Sequence, residues 1–174
     1  MRIFLTGFMG SGKTHVGRRL AARLGLPFID LDHAVEERAG VTIREFFAHE
    51  GEPAFRRMES TVLRQFTQLP MFVLATGGGA PCHDENMEWM RAHGITVFLD
   101  PAVDILTRRL ASEREHRPLL HGPEELTSLI ERKLSDRRSC YEKARIHVRQ
   151  TNPDEDVVRL IADLLPREDL SPTE

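Results

Sequence analysis

The chain has 174 residues, 40% of them hydrophobic and 29% charged, with a net charge of −3. That length suits one domain with a buried core, and the balance excludes a disordered chain. A general nucleic-acid binder would normally show a basic excess or a basic face, and the net charge demands neither. The longest apolar runs, such as Met71-Phe72-Val73-Leu74-Ala75, are far too short to cross a bilayer.

The N-terminus enters an apolar strand pattern directly, with no charged-then-apolar leader. Ile3-Phe4-Leu5 is the first buried strand, and Val16, Leu20 and Leu24 then recur at the spacing of a helix that Gly25 stops. Phe28-Ile29-Asp30-Leu31-Asp32 predicts a second strand ending in acids. Thr42-x-x-Glu45 has the spacing of a capping box and opens a short helix over Phe46 and Phe47. Gly51 breaks that helix, and Pro53 begins another that runs towards Phe66. Met71–Ala75 predicts a third strand, followed by Gly77-Gly78-Gly79 and a helix over Met87, Met90 and Arg91 that ends at Gly94.

Ile95–Leu99 is the fourth strand, with Pro101 expected to start a helix through Ile105 and Leu110. An arginine-rich segment from Ser112 to Pro123 has no periodicity and predicts a mobile loop. A helix from Glu124 to about Tyr141, a fifth strand at Ile146 and Val148, and a helix lined by Val157, Leu160, Ile161 and Leu164 complete the pattern. Strands alternating with helices imply an α/β fold with a parallel sheet, a single domain over 1–166 and a frayed tail over 167–174. Cys82 and Cys140 lack C-x-x-C spacing and read as incidental thiols in a reducing compartment, so the cytoplasm is expected.

Gly7-Phe8-Met9-Gly10-Ser11-Gly12-Lys13-Thr14 matches G-x-x-x-x-G-K-[ST] at every fixed position, between a predicted strand and a predicted helix. Glycines let the backbone N–H groups close on a polyphosphate, and the following helix adds its N-terminal dipole. Lys13 supplies a charge for the β- and γ-phosphates, and Thr14 offers a hydroxyl to Mg²⁺. No guanine-specific N/T-K-x-D element is present, which argues against a GTPase switch.

Beyond this loop the chain resembles the shikimate kinases, of the nucleoside-monophosphate-kinase-like P-loop group, from Ile3 to about Leu165. The resemblance rests on Gly-Phe-Met-Gly-Ser-Gly-Lys-Thr, Phe-Ile-Asp-Leu-Asp, Phe-Arg-Arg-Met-Glu, Gly-Gly-Gly, Arg-Pro-Leu-Leu and Arg-x-x-x-Tyr-x-x-x-Ala in that order. It implies a three-layer P-loop kinase fold with a five-stranded parallel sheet, a substrate-binding helical segment over about 33–61 and a lid over about 112–123. The implied reaction moves the γ-phosphate of ATP to the 3-hydroxyl of shikimate on the route to chorismate. The implied partners are ATP, shikimate and Mg²⁺, with no nucleic acid or membrane, and a monomer is expected.

The nucleotide-binding positions are then Gly10, Ser11, Gly12, Lys13, Thr14, His15, Arg109 and Arg117, with Arg109 packing over adenine. By the same resemblance Thr14 and Asp30 hold Mg²⁺, Asp30 through its water shell, and Thr76 touches a magnesium-bound water. Asp30 and Asp32, two apart on one predicted strand, share a side of the sheet at its carboxyl end. Resemblance gives Asp32 the ring hydroxyls and the task of orienting or deprotonating the attacking one. Arg56 pairs with the substrate carboxylate, held by Glu59 three residues on, which also helps bind a ring hydroxyl. Gly78 and Gly79 bring backbone N–H groups to the substrate, and the lid's Arg117 reaches the γ-phosphate. Arg137 is matched to a second arginine on the carboxylate, although a one-residue slip would substitute Arg138. The expected catalytic residues are Lys13, Asp32 and Arg117. Rival expectations are another small-molecule kinase of the same fold, acting on gluconate or a nucleoside monophosphate, and a non-catalytic nucleotide-binding regulatory module. An Asp-Gly-Phe-Pro-Arg-type element common in monophosphate kinases is missing.

Overall fold

In a computed structural model of the chain, which describes residues 1–111 and 125–166, β1 (Arg2–Thr6) is the central strand of a parallel sheet. β2 (Phe28–Asp30) and β3 (Phe72–Ala75) lie on one side of it, and β4 (Ile95–Pro101) and β5 (Ile146–Gln150) on the other, in the order β2-β3-β1-β4-β5. Arg2 pairs with Phe72, and Ile3 lies between Val73 and Ile95. The expected lid over 112–123, including Arg117, and the expected tail over 167–174 lie outside the described residues.

Side-chain alternation sends Ile3 and Leu5 of β1 to one face of the sheet and Phe4 to the other. The first face packs Val73, Val97 and Leu99 against Val16 and Leu20 of α1 (Lys13–Leu24) and Ile161 of α7 (Val157–Leu164). The second face carries Phe72, Leu74 and Phe98 under five helices. These are α2 (Leu31–Ala39), α3 (Ile43–Gln65), α4 (Asn86–His93), α5 (Val103–Ala111) and α6 (Leu126–Tyr141). Phe4, Phe8, Phe72, Phe98 and Tyr141 are all fully buried there, each contributing about 2–3 kcal/mol of transfer free energy relative to exposure.

α3 is two helices joined at a kink. Thr42 and Glu45 form the expected reciprocal cap, and Gly51 leaves the helical region with φ 78° and ψ 171° before Pro53 restarts it. Only glycine adopts that φ without strain. Two boundaries and one helix face depart from the sequence reading for physical reasons. β2 stops at Asp30 and Asp32 lies in the first turn of α2, because the Asp30 carboxylate accepts the Asp32 N–H at 3.1 Å and caps a helix there. The two acids therefore do not share a strand face. Pro101 ends β4, opposite Gln150, and α5 begins at Val103, since proline's fixed φ suits a strand end as well as a first helical turn. In α7 the buried stripe is Val157, Val158 and Ile161, continued by Leu165, while Leu160 and Leu164 face solvent. That helix is apolar on more than one side, so four-residue spacing does not choose the stripe.

Candidate active site

The loop between β1 and α1 turns through three glycines of positive φ, Gly7 (137°), Gly10 (76°) and Gly12 (91°). A side chain at Gly7 would strike the Leu99 carbonyl at 2.5 Å, so the loop lies directly on the end of β4. Lys13 is buried and its ammonium donates to the Gly7 and Phe8 carbonyls at 2.9 Å each and to Ser11 Oγ at 3.4 Å. The loop opens on a cleft of about 580 Å³ lined by Gly10 to His15, Asp30, Asp32, Thr76, Gly78 and Arg109. Gln150, Pro153, Glu155 and Val157 form its other wall.

Thr14 Oγ1 donates to Asp30 Oδ2 at 2.8 Å, bringing together the two residues matched to the metal. Arg109 sits at the rim of the cleft with its guanidinium against the Gly10 and Ser11 carbonyls, at 3.3 and 3.5 Å, and against Gln150 Oε1 at 3.0 Å. Its neighbour Arg108 is exposed and pairs with Asp104. The Thr76 hydroxyl donates to the Leu5 carbonyl at 3.0 Å, so towards the cleft it can only accept.

The triglycine segment is where the sequence-predicted residues converge. A methyl group on Gly77 would meet Asp32 Oδ1 at 2.6 Å and Glu59 Oε1 at 2.7 Å. One on Gly79 would meet the Arg56 guanidinium at 2.5–2.8 Å, and one on Gly78 the Met9 N at 3.3 Å. The three glycines are thus a surface moulded by two carboxylates, one guanidinium and the phosphate loop. Burial raises the Asp32 carboxyl above its ordinary range and the nearby Asp30 adds to this, against the pull of Lys13 and Arg56. Asp32 is open to solvent along the cleft yet surrounded by protein behind it, which is why a surface-accessible acid is still poorly solvated.

Arg56 is buried and held from both sides. Its Nη1 donates to Glu59 Oε2 at 2.7 Å, and its Nε and Nη2 donate to Glu52 Oε1 at 3.3 and 3.1 Å. Arg57 is exposed, as expected of the neighbour that faces away. The sequence reading omits Glu52, which stands one helical turn before Arg56, just after the Gly51 kink. Arg138 is committed elsewhere, to Asp100 at 2.9 and 3.2 Å and to Glu142 at 3.3 Å. Arg137 lies instead against Tyr141, whose hydroxyl donates to the Gly78 carbonyl at 2.5 Å, and it shares the neighbourhood of His83 with Arg56. The cleft itself is lined by Asp32 and Gly78 but not by Arg56, Glu59, Gly79 or Arg137. Arg117 lies outside the described residues.

Glu59 is only 1% exposed, and among the described residues its Oε1 has no hydrogen-bond partner. Burial pushes its carboxyl up to about 7, against the pull of Arg56. A glutamate that keeps its proton to about 7 when folded but releases it near 4.5 when unfolded favours folding at low pH. That contribution is complete below about 4.5 and is lost as pH climbs to about 7. Glu59→Gln imitates the neutral acid at every pH, so its Tm gains on the wild type by about 5 °C between pH 5 and pH 8. A Tm difference that stays constant over that range would mean the carboxyl is ionised throughout.

Comparison with known proteins follows the same geometry. A family model described as shikimate kinase matches residues 9–165. The shikimate kinase of Bacteroides thetaiotaomicron is 45% identical over 146 residues, which is 83% of each chain. A crystal structure of shikimate kinase from Bacteroides thetaiotaomicron superposes with a TM-score of 0.86 at 40% identity, covering 94% of this chain and 97% of that one. The Acinetobacter baumannii enzyme, solved in complex with shikimate, gives 0.81 at 39% identity over 93% and 88% of the two chains. With a matching phosphate loop, a matching fold and relatives at this identity over most of their length, the chain belongs to the shikimate kinase family.

Proposed function

We propose that this chain transfers the γ-phosphate of ATP to the 3-hydroxyl of shikimate, giving shikimate 3-phosphate and ADP on the route to chorismate. The observation that carries this reading is the triglycine surface, which sets Asp32 and Glu59 over Gly77 and Arg56 over Gly79 at the edge of the phosphate-loop cleft. Two ring-hydroxyl acceptors beside a guanidinium suit a polyhydroxylated ring that bears a carboxylate.

The roles follow from position. Lys13 and the backbone of Gly10, Ser11, Gly12 and Thr14 take the β- and γ-phosphates, with His15 and Arg109 at the nucleoside end of the cleft. Arg56 and Arg137 clamp the carboxylate, Glu59 fixes Arg56, and the N–H groups of Gly78 and Gly79 meet the ring. Asp32, whose proton affinity is raised, orients the attacking hydroxyl and takes its proton. We assign Arg117 to charge developing on the γ-phosphate. Thr14 Oγ1 and Asp30 Oδ2 are hard oxygens of the kind that hold Mg²⁺ while phosphate and water complete its shell. When bound, Mg²⁺ neutralises phosphate charge, and the Thr76 hydroxyl, an acceptor towards the cleft, suits one of its waters. The same proposal makes the enzyme a cytoplasmic monomer of one domain. No helix among the described residues is long and apolar enough to cross a membrane.

Coupled ADP release with ATP and Mg²⁺ tests the reading, comparing shikimate with gluconate, AMP, CMP and no acceptor. Stimulation by shikimate alone is expected. Stimulation by another acceptor would transfer the site to that substrate, and none by any acceptor would leave a nucleotide-binding module.

A further inference from the structure

The chain's two cysteines, far apart in sequence, meet in the fold. Cys82 ends the 3₁₀ turn Ala80–Cys82 that follows Gly79, and its N–H donates to the Gly79 carbonyl at 3.0 Å. Cys140 is the last residue of α6 before Tyr141, whose hydroxyl holds the Gly78 carbonyl. The end of α6 packs on that turn, and the two half-buried free thiols lie within interaction range of each other. The neighbouring Cys140 thiol, with the positive charge of Arg137, Arg56 and Lys143, favours the Cys82 thiolate, while Cys82 and burial hold Cys140 protonated. An electropositive, partly accessible thiol with a second thiol in contact is the arrangement of a reactive cysteine and its resolving partner.

We propose that Cys82 and Cys140 are a modification site, closing to a reversible disulfide when a hydroperoxide oxidises them. The Cys82 thiolate attacks the peroxide, the O–O bond breaks, and the departing hydroxide takes up a proton as water, leaving a sulfenic acid on Cys82. The Cys140 sulfur then attacks that sulfur, the S–O bond breaks, and the Cys140 proton leaves with the oxygen as a second water. Two electrons pass from the thiols to the peroxide, and a dithiol reductant returns them.

The consequence is local. A disulfide holds its sulfurs about 2.05 Å apart, closer than two unbonded thiols can approach, so closure draws the end of α6 onto the glycine segment. Arg137, one turn before Cys140, moves with it relative to Arg56 and Gly79. The phosphate loop, on the other side of Gly78, does not. This functional half rests on the shikimate-kinase reading; the disulfide itself does not.

The purified enzyme, reduced and then treated with stoichiometric hydrogen peroxide, is assayed for titratable thiols, intact mass, oligomeric state on a non-reducing gel, ADP affinity and shikimate KM. Both thiols are expected to disappear together with the loss of two hydrogens and no cross-linked dimer. KM for shikimate rises about tenfold, ADP affinity is unchanged, and dithiothreitol restores the starting values. Cys140→Ser keeps the reduced activity and stops at a Cys82 sulfenic acid that dimedone traps. Two surviving thiols, an intermolecular dimer or direct passage to sulfinic acid would overturn the site. A disulfide formed with unchanged KM would overturn its control of the clamp. Should the reduced protein fail to phosphorylate shikimate at all, the proposed function falls, while thiol counts and intact mass still decide the disulfide.

Discussion

Lys13→Ala lowers kcat by about 10³-fold and leaves the protein folded. The ammonium of Lys13 is buried among the Gly7 and Phe8 carbonyls and Ser11 Oγ, so it already sits inside the loop that cradles phosphate. Its removal takes away a fixed positive charge at the point where negative charge on the transferring phosphoryl group must be balanced. It also removes a strap across the loop, so ATP affinity falls together with kcat. The sheet does not depend on it: β1 is held by eight register pairs to β3 and β4, and α1 by Val16 and Leu20. A variant with an unchanged Tm and near-normal turnover would remove the loop from the chemistry.

Arg56→Ala raises the shikimate KM by about 10²-fold, the equivalent of roughly 3 kcal/mol, with little change in the KM for ATP. Arg56 meets the surface of Gly79 with its guanidinium face and is separated from the phosphate loop by Gly78. Truncation also leaves Glu59 buried without its partner, so that carboxyl retains its proton to higher pH and Tm falls. Arg56→Lys recovers little of the affinity, because a point charge cannot span Glu59, Glu52 and a carboxylate in one plane. A change in ATP KM alone would move Arg56 out of the substrate pocket.

Much of this site is legible in the sequence, and the reasons differ by residue. The phosphate loop is legible because its chemistry needs glycines and a lysine at fixed offsets within one stretch of chain. The capping box at Thr42 and the break at Gly51 are local in the same way. A D-x-D pair carries the strand period, so Asp32 reads as a strand residue, and nothing local says that Asp30 will spend its carboxylate on capping a helix. Arg137 and Arg138 are adjacent on α6, and only the tertiary partner Asp100, on β4, separates their directions. Glu52 stands at the i, i+4 spacing of a helical ion pair with Arg56, so that contact is open to sequence reading. The meeting of Cys82 with Cys140 is a product of the packing of α6 on the glycine segment, and no spacing announces it.

The strand order has a consequence for how the molecule comes into being. β1 emerges first from the ribosome, yet its partners on either side are β3 and β4, and β2, made next, pairs only with β3. The first ladder therefore waits for Phe72, and the central strand keeps an open edge until Ile95–Pro101 has been synthesised. The nascent phosphate loop thus hangs from an apolar strand with neither neighbour until Phe72 has been made. Until then the segment on which the nucleotide will later rest carries the unpaired edges of an exposed apolar strand.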